Sequence, residues 1–155
     1  MSAGEVLRVL DALRSAPVWI GGGWGVDALV GHVTRPHRDL DLAIDASYEA
    51  PALAALATVG YRIETDWRPS RVEVAAPDER WVDLHPVVFD ETGAGQQAGP
   101  DGTSFDYPAE CFTWGLIGGR RVPCLSARQQ LIFHSGYVPR ACDLADVELL
   151  RSLGP

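Results

Sequence analysis

The chain has 155 residues, 46% of them hydrophobic, which is enough for one compact core and too little for two ordinary domains. A formal charge of −8 excludes general affinity for nucleic acid or anionic membrane, since both require a basic surface, and favours a cationic small-molecule partner. All 13 Lys/Arg positions are arginine, so Schiff-base lysine chemistry and the lysine of a phosphate-binding loop are both excluded.

Ser2 followed by Glu5 forms a capping-box pattern, and Val6, Leu7, Leu10 and Leu13 recur at helical spacing, so a first amphipathic helix is expected to about residue 14. Pro17 ends it. The run Val18-Trp19-Ile20 reads as a short buried strand entering a glycine turn, followed by a short helix over 24–30 closed by Gly31. From Asp39 to Ile44 the chain alternates strictly: Leu40, Leu42 and Ile44 share one face of a strand, Asp39, Asp41 and Ala43 the other.

A second long helix is expected over 47–59, ended by Gly60. Strands over 61–67, 71–76 and 80–89 follow, with turn signals at Arg68-Pro69-Ser70 and Pro77-Asp78, forming an antiparallel meander. The stretch 90–101, "DETGAGQQAGPD", is glycine-rich and aperiodic and reads as a loop. One more strand is expected over 120–125. Ser126 and Gln129 open a helix to about residue 136, and a last helix covers 144–150, with Tyr137, Arg140 and Asp143 in the turn between them. No run reaches the roughly 18 apolar residues of a membrane helix, so a cytoplasmic protein is expected. Cys111, Cys124 and Cys142 form no C-x-x-C pair and read as reduced, packed residues.

Two carboxylates at i and i+2 of a strand stand on one face and can clasp the same hard cation. An Asp-x-Asp is ordinarily solvated surface, but here Leu40, Leu42 and Ile44 anchor the opposite face in a core. The run "RWVDLHPVVF" also alternates and puts Asp83 on one face with Trp81 and His85. Three aspartates on neighbouring strands can hold two magnesium ions. A strand ending in Gly22 and Gly23 before a helix presents free backbone N–H groups to phosphate oxygens, and Arg35, His37 and Arg38 in the turn before Asp39 can supply cationic donors.

The stretch "GGGWGVDALVGHVTRPHRDLDLAID" with the later "VDLHPV" resembles the antibiotic-modifying branch of the nucleotidyltransferase superfamily, the aminoglycoside 2''-nucleotidyltransferases and lincosamide nucleotidyltransferases. "LSARQQLIFHSGYVPRACDLADVELL" resembles that branch's closing helices. The resemblance implies an α+β nucleotidyltransferase fold in a single domain over 1–155, with a core over about 1–125 and closing helices over about 126–152. Its mixed sheet would carry helices on one face and the active site on the other. By the same resemblance Gly22 and Gly23 match the triphosphate-holding backbone, Asp39 and Asp41 the metal ligands, and Asp83 a third ligand that accepts the hydroxyl proton. Arg35 and His37 match nucleotide contacts. The implied reaction moves a nucleoside monophosphate, AMP from ATP foremost, onto a hydroxyl of a cationic antibiotic, with an aminoglycoside ahead of a lincosamide. Separately, 155 residues leave little chain to cover the acceptor, so a homodimer completing the pocket is expected. The competing reading is a small antitoxin-like or regulatory module of the same fold that acts on a protein partner.

Overall fold

A computed structural model describes residues 1–135 and 138–154. Its elements are, in order, α1 (Ala3–Ala12), β1 (Val18–Ile20), α2 (Gly22–Val30), β2 (Asp39–Asp45), α3 (Glu49–Thr58), β3 (Arg62–Trp67), β4 (Arg71–Ala76), β5 (Arg80–Phe89), β6 (Gly95–Ala98), β7 (Ser104–Tyr107), β8 (Phe112–Ile117), β9 (Arg120–Leu125), α4 (Ala127–His134) and α5 (Ala141–Ser152). Ser2 caps α1, its side chain accepting from the Glu5 N–H, and Ser126 caps α4 in the same way through Gln129.

The sheet is mixed, in the order β3-β4-β5-β2-β1-β9-β8, with β6 and β7 joined as a hairpin beside β5. The expected meander is present: β3, β4 and β5 pair antiparallel. β5 then runs parallel to β2, and β2 antiparallel to β1. The strict alternation of β2 has its expected consequence, because Leu40, Leu42 and Ile44 enter the main core with Val6, Val9 and Leu10 of α1 and Ala52 and Leu56 of α3. Ala43 faces the other way, into a smaller cluster with Val87, Tyr107, Cys111 and Leu125, against which Phe133 of α4 packs. The acid-bearing face is therefore bordered by one closing helix. Cys111 and Cys124 are buried, and none of the three cysteines is in a disulfide. Among the described residues no helix is long and apolar enough to cross a membrane.

The expected loop over 90–101 is not a loop throughout. β6 occupies its centre and pairs with β5 from Val87 to Phe89. The reason lies in strand length: β4 covers β5 only up to Leu84, so the rest of β5 offers an open edge that a glycine- and glutamine-rich segment of weak β-propensity can fill. β7 and β8 also form in a stretch where no element is expected. α2 begins at Gly22, two residues earlier than periodicity indicates, and α3 is preceded by a 3₁₀ turn over Ala46–Tyr48. α4 ends at His134 with Ser135 as its C-cap, and residue 136, the expected end of the helix, lies outside the described residues. α5 starts at Ala141 because the Asp143 carboxylate reaches back to accept from the Arg140 backbone N–H at 2.8 Å.

Edge strand β8 is held against α2 by close backbone approach at Gly115, where a methyl group would collide with the Ala28 carbonyl and stand 2.8 Å from Ala28 Cβ. Gly115→Ala is expected to lower stability by about 1–3 kcal/mol, since backbone must shift to admit the methyl group. Urea unfolding checks this, and catalysis per folded molecule should be unchanged.

Candidate active site

The parallel pairing of β2 with β5 puts Asp41 opposite Asp83 and Ala43 opposite His85. The side chains of Asp41, Asp83 and His85 thereby converge, with one potential ligand atom from each within 4.8 Å of the others. Asp39 stands two residues earlier on the same strand and lines the same cleft, but it is not a member of this tight cluster.

Asp83 is the buried member, only 3% exposed. Its Oδ2 accepts from Arg71 Nη1 at 2.7 Å, while Oδ1 is buried without a hydrogen-bond partner. A buried carboxylate oxygen left unpaired is costly unless something else satisfies it. Burial and the charge of Asp41 push the Asp83 carboxyl up to about 6, against the opposing pull of His85 and Arg71. Burial also works against ionisation of Asp41, but the hydrogen bond from His85 and the charges of Arg71 and Arg140 outweigh it and hold that carboxyl below its usual range. One acid is thus kept ready to ionise and its neighbour ready to take a proton. Two hard carboxylates, one with an orphaned oxygen, suit a divalent cation.

Around this pair, antiparallel pairing with β4 sets Glu73 opposite Asp83, and Arg38 Nη2 lies 3.6 Å from Glu73 Oε2 while stacking on Trp81. Arg71, besides holding Asp83, lies over the Trp67 ring at 4.1 Å. Arg71, Glu73 and His85 are not among the expected site residues. Only His85 has a signal in the sequence, its place on the Asp83 face of an alternating strand.

The glycine turn lies directly beside the acids. Gly22 opens α2 in the left-handed region, at φ 54°, and a Cβ on it would collide with the Asp41 carboxylate. Gly21, the N-cap, makes no side-chain capping hydrogen bond, so the first amides of α2 face the cleft without one. A Cβ on Gly23 would meet the His37 ring and stand 2.8 Å from Arg35 Nη2.

His37 and Arg35 border this turn, yet both have protein partners. His37, 5% exposed, pairs through Nε2 with buried Asp27 Oδ2 at 2.6 Å. Arg35 makes a two-pronged contact with Asp146 of α5, Nη2 to Oδ2 at 2.6 Å and Nε to Oδ1 at 3.2 Å. The turn before β2 is thus tied to the last helix. Arg140 and Asp143 also line the cleft. Tyr137, expected near them, lies outside the described residues.

Two clefts meet here. The first, about 710 Å³, is lined by the glycine turn, Arg35, His37, Asp39 and Asp41. The second, about 1810 Å³, has Trp67, Arg71 and Phe89 in its wall together with Asp66, Asp90 and Asp106. His85, Gln97, Phe105 and Tyr107 belong to both.

Residues 5–150 match the model of the aminoglycoside-2''-adenylyltransferase family. A lincosamide resistance protein of Staphylococcus haemolyticus is 36% identical over 151 residues, covering 96% of this chain and 94% of the relative. A 2''-aminoglycoside nucleotidyltransferase of Klebsiella pneumoniae is 33% identical over 124 residues, covering 79% of this chain and 64% of the relative. Among solved structures, the lincosamide antibiotic adenylyltransferase LnuA with lincomycin bound superposes with a TM-score of 0.86 at 35% identity, covering 97% of this chain and 96% of that one.

Proposed function

The chain belongs to the aminoglycoside-2''-adenylyltransferase family, and from that premise we propose that it transfers AMP from ATP to a hydroxyl of a small-molecule antibiotic, a lincosamide ahead of an aminoglycoside. The higher identity and closer superposition of the lincosamide relatives favour that order, 36% identity and a TM-score of 0.86 against 33% and 0.78 for the aminoglycoside ones. The relatives modify antibiotics, which supports a small-molecule acceptor over a protein partner.

The observation that carries the chemistry is the pairing of Asp41 with Asp83 across β2 and β5, with one oxygen of Asp83 buried and unpartnered. Asp41 and Asp83, with Asp39 beside them, would hold magnesium, two ions in the fullest form of the proposal. Bound there, it neutralises triphosphate charge and lowers the pKa of the attacking hydroxyl.

The α2 amides at Gly22 and Gly23 bind the triphosphate, and Arg35 and His37 flank it. The acceptor occupies the second cleft, where Asp66 is paired with Arg68 and Asp90 and Asp106 suit a cationic amine. Its hydroxyl oxygen forms a bond to the α-phosphorus as the bond to the pyrophosphate oxygen breaks, and the hydroxyl proton passes to Asp83. Alignment of the attacking and leaving oxygens supplies the rest of the acceleration. Every acid involved comes from one chain, so the expected homodimer would bear on acceptor cover and not on this cluster.

The test is a panel of lincosamides and aminoglycosides with ATP, GTP, CTP and UTP, read by pyrophosphate release. Release with ATP and a lincosamide, dependent on Mg²⁺ and stopped by EDTA, is the expected result. No release with any pair would sink the proposal, as would equal release in EDTA.

A further inference from the structure

The β6–β7 hairpin inserts two buried polar side chains behind the acid cluster, Gln97 at 6% exposure and Tyr107 at 3%. Gln97 Nε2 donates to the Ser70 carbonyl at 3.1 Å, and Tyr107 O–H donates to Gln97 Oε1 at 2.7 Å. A carbonyl oxygen can only accept, so the amide cannot be turned the other way without opposing two oxygens. The amide nitrogen therefore faces His85 as well, 3.1 Å from Nδ1.

An amide N–H can only donate, so Nδ1 must present its lone pair. The proton of the neutral ring is then on the other nitrogen, which faces Asp41 Oδ1 at 3.4 Å. From this chain of contacts we infer that Gln97, itself oriented by Tyr107 and Ser70, fixes His85 as the Nε2–H tautomer and so makes it a hydrogen-bond donor that positions Asp41. His85 is close enough to the two acids to be counted a third metal ligand. With Nδ1 accepting from Gln97 and Nε2 donating to Asp41, it has no lone pair to give a cation. It is a positioning residue.

Two measurements test this, and only the second rests on the metal-binding reading proposed above. In protein labelled with ¹⁵N at histidine, long-range ¹H–¹⁵N correlation at alkaline pH reports which ring nitrogen carries the proton, with His85 assigned by its loss in His85→Gln. The wild type should show the Nε2–H form without any metal or nucleotide. Gln97→Glu, read above the pH at which the introduced carboxyl loses its proton and can only accept, should move the proton to Nδ1. An Nδ1–H form in the wild type, or an unmoved proton in Gln97→Glu, overturns the inference. The second measurement uses Mn²⁺ as the probe in pulsed EPR. Wild type should show no directly coordinated nitrogen, and Gln97→Glu should gain one because Nε2 then presents a lone pair to the cluster. A coordinated histidine nitrogen in the wild type overturns the inference even if Gln97→Glu does not fold. Failure of Mn²⁺ to bind at all counts against the metal reading alone and leaves the tautomer result standing.

Discussion

Asp83→Asn is expected to cut turnover by about 10²- to 10⁴-fold, the usual worth of general-base assistance, while making the metal-free protein more stable at neutral pH. The two effects have one cause. Burial and the neighbouring Asp41 charge raise the Asp83 carboxyl to about 6, above the roughly 3.9 of an unfolded aspartate. A raised folded value means that the fold favours the protonated acid. The stability this confers is complete below pH of about 3.9 and is lost as pH rises through about 6. Asparagine resembles the protonated form, still offers an oxygen to Arg71, and cannot ionise, so it escapes that loss. At about 1.4 kcal/mol for each pH unit between the folded and unfolded values, the gain above pH 7 is about 2–3 kcal/mol in EDTA and vanishes near pH 4. Thermal unfolding at the two pH values checks this, beside turnover and nucleotide affinity at pH 7.5 with Mg²⁺. Nucleotide affinity should survive, because Asp39, Asp41 and the glycine turn remain. Wild-type turnover would remove Asp83 from its proposed role, and a destabilised variant at neutral pH would contradict the strained-acid account.

Gly22→Ala is expected to be as damaging although it removes no functional group. Gly22 lies at φ 54°, where an L-residue is strained by about 1–2 kcal/mol, and the added methyl group would occupy the space of the Asp41 carboxylate. Asp41 must rotate away from Asp83, or the first turn of α2 must move. Either change disturbs the proposed metal ligands and phosphate-binding amides together, and a misplacement of about 1 Å can cost roughly 10²-fold in rate. Gly31→Ala is the control: it also has a left-handed backbone, at φ 86°, but nothing lies within 4 Å of its added Cβ. It should lose stability comparably and keep its turnover. Equal turnover in the two variants would show that Gly22 serves only its backbone conformation.

The sequence by itself determined the parts whose signals are local. Strict alternation in β2 and β5 put Asp39, Asp41, Asp83 and His85 on definite faces, because side chains alternate about a strand whatever its neighbours. Capping patterns located the starts of α1 and α4, because the serine and the amide it accepts from are three residues apart. The order of glycine turn, Asp-x-Asp and third aspartate carried the family. Tertiary structure alone decided what depends on the pairing of distant strands. Parallel register matched Asp41 with Asp83 and left Asp39 outside the tight cluster. The antiparallel register of β4 brought Arg71 and Glu73 to the same acids, two residues indistinguishable in the sequence from solvated charges. Arg35 and His37 have protein partners for a like reason, since the fold brings Asp146 of α5 to Arg35 and turns Asp27 of α2 back onto His37. The "GQQA" segment has neither periodicity nor strong β-propensity. It becomes a strand because β5 outruns β4 and leaves backbone donors and acceptors to be paired, and that unmet pairing, invisible in any local window, is what brings Gln97 and Tyr107 behind His85.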